Sequence, residues 1–103
     1  MVTREKIDAA IRLLAQAADP ARILLFGSYA RGDAREDSDL DFLVIEPRVD
    51  DRAKEMVRLR RILRPLRIPA DVLVYSTEEV ECWSDQPGSA LYWALREGKV
   101  VHG

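Results

Sequence analysis

Between Gly27 and Ile45 the chain runs Gly-Ser-Tyr-Ala-Arg-Gly, then the acidic stretch Asp33-Ala-Arg-Glu-Asp-Ser-Asp-Leu-Asp41, then Phe42-Leu-Val-Ile45. The last four residues are apolar on both parities, as expected of a strand whose two faces are both covered. Side chains alternate along a strand, so Asp39 and Asp41 at its start point the same way while Leu40 between them enters the core. An Asp-x-Asp pair is thereby fixed at the rim of a buried sheet, one short loop away from a Gly-Ser turn.

The surrounding pattern predicts the rest of the sheet. Thr3 can cap a helix running to about Ala18, with Ile7, Ile11, Leu14 and Ala18 on one face, ended by Asp19-Pro20. Arg22 to Phe26 reads as a short buried strand leading into Gly27-Ser28, which opens a helical turn. After Leu40–Ile45, closed by Pro47, a helix from about Asp50 to Arg64 buries Met56, Leu59 and Leu63 until Pro65 stops it. Asp71 to Tyr75 is a third strand, and Ser76-Thr-Glu-Glu79 has the spacing of a capping box opening a short helix. Gly88 to Glu97 forms a last helix stopped by Gly98, and Val100-Val101 can add an edge strand. Helices alternating with short apolar strands imply an α/β (α+β) fold: a small mixed sheet with helices packed on it.

With 103 residues the chain is expected to be a single domain, residues 1–103, without room for a separate acceptor-binding domain. A net charge of -2 gives no global field for nucleic acid or an anionic membrane, and neither is expected as a partner. One cysteine and one histidine exclude a disulfide framework and a Cys/His zinc cluster, and His102, on the penultimate residue, is expected to be too mobile to serve catalysis. No leader opens the chain and no apolar run approaches the ~20 residues of a membrane span, so a cytoplasmic location is expected.

Carboxylates and hydroxyls are the remaining chemical resource. If the third strand lies beside the second, Asp71 joins Asp39 and Asp41, and three crowded carboxylates repel one another unless a cation intervenes. Oxygen-only ligands with open positions suit Mg²⁺, and two such ions about 4 Å apart clamp an in-line displacement at phosphorus. On that reading Asp39 and Asp41 hold the metal that carries a triphosphate, while Asp71 completes a second metal site and helps deprotonate an attacking hydroxyl. The bland alternative is a solvated acidic loop with a strand-capping Asp. Backbone N–H groups at Gly27-Ser28 and the Ser28 hydroxyl suit phosphate oxygens, although such a turn alone is weak evidence. Arg31 faces two equal options, a phosphate or one of the aspartates. Gly32 serves a backbone conformation.

Two similar patterns fail. Gly27 to Gly32 has the outer spacing of a P-loop, but Asp33-Ala34 stands where Lys-Ser/Thr is required. Asp37, Asp39 and Asp41 match the first ligands of an EF-hand, yet Phe42 replaces the glycine and Arg48 the terminal glutamate.

The run Gly27-Ser-Tyr-Ala-Arg-Gly32, then Ser38-Asp-Leu-Asp41 ahead of an apolar strand, then Asp71 on a later strand, resembles the DNA polymerase β-like nucleotidyltransferase superfamily, and within it the minimal nucleotidyltransferases (MNT domains). The resemblance extends to the tail Pro87-Gly-Ser-Ala-Leu-Tyr-Trp-Ala-Leu-Arg-Glu-Gly98. It implies transfer of a nucleoside monophosphate from an NTP, usually ATP, to a hydroxyl with Mg²⁺ present. Carried over by residue, Gly27 and Ser28 match the triphosphate turn, Asp39 and Asp41 the metal pair, and Asp71 the third acid. Minimal members are often paired with a helical HEPN toxin and act as antitoxins, some by placing AMP on a tyrosine of the partner. The expected function is therefore a Mg²⁺-dependent protein adenylyltransferase of antitoxin type. A non-catalytic antitoxin that neutralises its partner by occlusion is the alternative, and transfer to a small molecule is a third reading weakened by the missing second domain.

Other features read as structural. The arginines and lysine of the third helix, among them Arg52, Lys54, Arg58, Arg60 and Arg61, suggest a solvated basic face, since no aromatics interleave to stack bases. Trp83, Tyr92 and Trp93 either wedge into the core or stay exposed as an interface. Cys82 reads as a small buried apolar residue.

Overall fold

The computed structural model describes residues 1–103. Five helices and four strands follow one another as α1 (Arg4–Ala17), β1 (Arg22–Phe26), α2 (Ser28–Arg31), β2 (Leu40–Glu46), α3 (Arg52–Leu63), β3 (Ala70–Ser76), α4 (Thr77–Trp83), α5 (Ala90–Glu97) and β4 (Lys99–His102). The sheet order is β3-β2-β1-β4, with β1 antiparallel to both β2 and β4 and β2 parallel to β3. This is the mixed α/β sheet expected from the sequence.

Local chemistry sets the element ends. The Thr3 side chain accepts from the Lys6 N–H at the start of α1, and Asp51 does the same for Lys54 at the start of α3. Ser76 and Glu79 form the reciprocal capping box that opens α4. Pro65 does not end α3 cleanly: the chain tightens into a 3₁₀ turn, Arg64–Leu66, which tolerates proline in its first positions. Gly98 stops α5 at φ -72 rather than in the left-handed region. Glycine is needed there for space, because a β-carbon would collide with the Ala94 carbonyl and sit 3.3 Å from Leu24 Cδ2.

The sheet carries two apolar layers, and strand parity sorts them. Leu40, Phe42 and Val44 of β2, with Val72 and Val74 of β3 and Ile23 and Leu25 of β1, pack under α1 and α3 around Ala10, Leu14, Leu59 and Leu63. Leu43 and Ile45 point to the other side, against Leu24 and the α5 residues Leu91 and Ala94. Phe42 is fully buried, which contributes about 2–3 kcal/mol relative to an exposed ring. β2 is covered on both faces, and Asp41 near its start is held within this packed strand.

Three expectations require correction and one open alternative is decided. Cys82 is exposed, because it lies on the side of α4 away from the sheet. His102 is held in β4 opposite Ile23 of β1, far from the Gly27 end of that strand. The basic residues of α3 are not merely solvated: Arg52 Nε donates to the Val74 carbonyl at 2.9 Å and its guanidinium lies 4.7 Å from the Tyr75 ring centre. Arg58 Nη2 donates to the Ala17 carbonyl at 2.9 Å, tying α3 to the end of α1. Trp83 and Trp93 resolve to the exposed option, at 51% and 53% of their surface. No helix is long and apolar enough to cross a membrane.

Candidate active site

The sheet brings the Gly-Ser turn and the acids to one end. β1 runs toward that end and delivers Gly27 and Ser28; β2 and β3 both start there. Phe26 is the register partner of Asp41, and Asp41 is the register partner of Asp71 on the neighbouring parallel strand. Neighbouring strands lie about 4.8 Å apart and partners project to the same face, so Asp41 and Asp71 stand side by side on the face that carries α4 and α5. Asp39 lies two residues before Asp41, just outside β2, and is exposed.

Gly27 is shaped by Asp41. It adopts φ 76 and ψ -157, a conformation essentially restricted to glycine, and a β-carbon there would overlap the Asp41 carboxylate and stand 3.1 Å from its Cγ. The sharp turn lets α2 begin at Ser28, with no side chain capping its first N–H groups. Those donors follow directly on Gly27, which is in contact with the Asp41 carboxyl, and Ser28 itself is half-buried. Gly32 ends α2 in the left-handed region at φ 86.

The electrostatics single out Asp41. Partial burial raises its carboxyl above the ordinary range, the charges of Asp71 and Asp39 raise it further, and Arg31 offsets part of the rise. Neither aspartate of the pair binds Arg31 directly. Its guanidinium donates to Glu97 at 2.8 Å and to Asp33 at 3.3 Å, which raises its own pKa, Glu97 contributing most. The expected pairing of Arg31 with one of the site aspartates is therefore not formed; Glu97 and Asp33 take the guanidinium instead. Asp71 forms an ion pair with Arg60, which reaches round the β3 edge from α3 on the opposite face of the sheet.

Surplus negative charge, oxygen-only donors and a half-desolvated central carboxyl suit a hard divalent cation. The three acids do not converge further than that: no three Asp, Glu, His or Cys side chains stand close enough together to hold one ion. Arg60 occupies Asp71 instead. A second acidic cluster, not anticipated from sequence, lies at the other end of β2. Glu46 is 8% exposed and one of its carboxyl oxygens lacks a hydrogen-bond partner. Burial, the side-chain hydrogen bond with Glu55 and the Glu55 charge push Glu46 to about 7. Arg58, at 2.6 Å, and Glu46 hold Glu55 down to about 2. The only sequence signal was a glutamate continuing the parity of Phe42 and Val44 into the α3 face.

Comparison with known proteins identifies the fold and the family. The candidate protein adenylyltransferase MJ0141 of Methanocaldococcus jannaschii is 38% identical over 53 residues, covering 52% of this chain and 52% of its own, so the match spans about half the length of that curated relative. A chain in a toxin-antitoxin crystal structure with AMP-PNP superimposes on 99% of this chain and 74% of its own with a TM-score of 0.68 at 23% identity. A chain of the toxin-antitoxin MntA-HpeT Y104A mutant does so on 100% and 74%, with a TM-score of 0.64 at 22% identity. At such identities the two structures establish a shared fold. The model of the nucleotidyltransferase domain matches residues 7–92, a span that includes the Gly27-Ser28 turn and all three aspartates. The chain therefore belongs to the nucleotidyltransferase domain family.

Proposed function

We propose that this chain is a Mg²⁺-dependent nucleotidyltransferase that moves AMP from ATP to a hydroxyl of a partner protein, a tyrosine of a HEPN-type toxin, and so acts as a cytoplasmic antitoxin. The observation that carries the proposal is the alignment of Asp41 with Asp71 on adjacent parallel strands, beside a glycine turn whose conformation leaves room for the Asp41 carboxylate. Its class is supported by family membership, and the protein acceptor by the half-length likeness to a candidate protein adenylyltransferase. The toxin-antitoxin complexes of the same fold, one with AMP-PNP, support the nucleotide and the antitoxin role.

In this mechanism Asp39 and Asp41 would hold the cation that carries the triphosphate, and Asp71 with Asp41 a second one. Bound there, Mg²⁺ supplies charge neutralisation for the phosphates and for the oxygen that departs. The Ser28 hydroxyl and the uncapped N–H groups of α2 orient the β- and γ-phosphates. The acceptor oxygen attacks the α-phosphorus, a phosphorus–oxygen bond forms as the bond to the β-phosphate breaks, and pyrophosphate leaves. The hydroxyl proton passes to Asp71, whose half-exposed pair with Arg60 gives way as the substrates bind.

The test is incubation with α-labelled ATP, Mg²⁺ and the product of the neighbouring gene. Label on the partner, dependent on Mg²⁺ and lost in Asp39→Asn, is expected. A folded partner that forms a complex yet takes no label would instead favour neutralisation by occlusion.

A further inference from the structure

We infer that Arg60 is a built-in counter-cation for Asp71, standing in for the divalent ion and competing with it, so that Arg60 lowers the metal affinity of the free protein. The inference rests on the metal reading above. Three facts converge on it. Arg60 belongs to α3, which packs on the face opposite the acids, yet its guanidinium crosses the β3 edge to reach Asp71 Oδ1. Asp71 is the register partner of Asp41 on the adjacent parallel strand, so the Arg60 guanidinium stands at the acid pair itself. With Asp71 engaged by Arg60, no three-carboxylate ligand set forms.

The chemistry requires such a competition. An oxygen of Asp71 that accepts from a guanidinium has its lone pairs directed at that group, and a cation approaching the same oxygen meets a positive charge. Arg60 has no other ion-pair partner, while Arg52 and Arg58 of the same helix are bound to Glu79 and Glu55. The Arg60 side chain is 46% exposed and Asp71 51%, so the pair sits in water and contributes little to folding. A weak, exposed pair can be displaced when nucleotide delivers a metal, whereas metal alone must oust the guanidinium. Arg60 is on this account a positioning residue: it keeps the acids from closing on a cation before the triphosphate arrives.

The test is Mn²⁺ binding to the full chain without nucleotide, measured by electron paramagnetic resonance, for wild type, Arg60→Gln, Arg60→Lys and Asp41→Asn. Arg60→Gln is expected to bind Mn²⁺ about three- to tenfold more tightly, the scale of one exposed charge interaction. Arg60→Lys keeps the charge and is expected to remain near wild type, which separates charge from packing. Melting curves within a few degrees of wild type establish that the variants fold. Unchanged or weaker Mn²⁺ binding in Arg60→Gln, with binding still abolished by Asp41→Asn, overturns the role of Arg60 and leaves the metal site standing. Binding indifferent to Asp41→Asn overturns both.

Discussion

The carboxylate of Asp41 lies against Gly27, in the space a β-carbon would need. One residue from the end of β1 and one from the start of β2 thus constrain each other, and the turn exists in this form because its side chain is absent. Gly27→Ala is expected to cost about 1–3 kcal/mol, combining a disfavoured φ of 76 with a collision. It is also expected to displace Asp41 and abolish transfer. Urea unfolding gives the first quantity and the labelling assay the second; an alanine variant with full activity would show that the close approach is dispensable.

Asp41 should exhibit a conflict between stability and function. Its carboxyl is half-buried and repelled by Asp71 and Asp39, so the metal-free protein holds a charge it would be more stable without. Asp41→Asn is expected to raise stability by about 0.5 kcal/mol, a small gain because water still screens the site, while lowering transfer on the order of 10²-fold or more. Thermal melts with and without Mg²⁺ check this, and the wild type alone should gain stability from the ion.

The Glu46–Glu55 pair makes stability depend on pH near neutrality. Glu46 is raised from 4.5 to about 7, so the folded state holds a proton that the unfolded chain has lost, and this contribution is fully present below 4.5 and lost as pH rises through 7. Glu55 is lowered to about 2, so its contribution is present above 4.5 and lost as pH falls through 2. Stability from this pair is therefore greatest near pH 4.5 and declines toward pH 8. Glu46→Gln, which keeps a donor for Glu55 without a titrating proton, should flatten the decline in chemical denaturation curves; an unaltered slope would place its origin elsewhere.

Most of the scaffold was legible because it is written locally. β1 is bounded by Arg22 and Phe26 as its apolar run suggests, and the Ser76–Glu79 spacing announced the capping box before α4. The motif from Gly27 to Asp41 likewise carried the family, which the domain match bears out. What sequence left conditional was the pairing of β2 with β3, a choice made by tertiary packing that decides whether Asp71 meets Asp41 at all. Arg60 and Glu46 were invisible for the same reason. Their partners are 11 and 9 residues away on different elements, and nothing in local spacing distinguishes a solvated arginine from one that rounds a sheet edge. Cys82 was misread from the habits of its residue type, when the outward face of α4 settled the matter.

The central claim, that the aligned acids beside the Gly27 turn transfer AMP to a partner hydroxyl, is tested most directly by the intact mass of the partner after co-expression. With the wild-type chain the partner is expected to gain the mass of one or more AMP groups on a tyrosine, and with Asp41→Asn to remain unmodified though still bound. An unmodified partner with the wild-type chain, or equal modification with both, would contradict the claim.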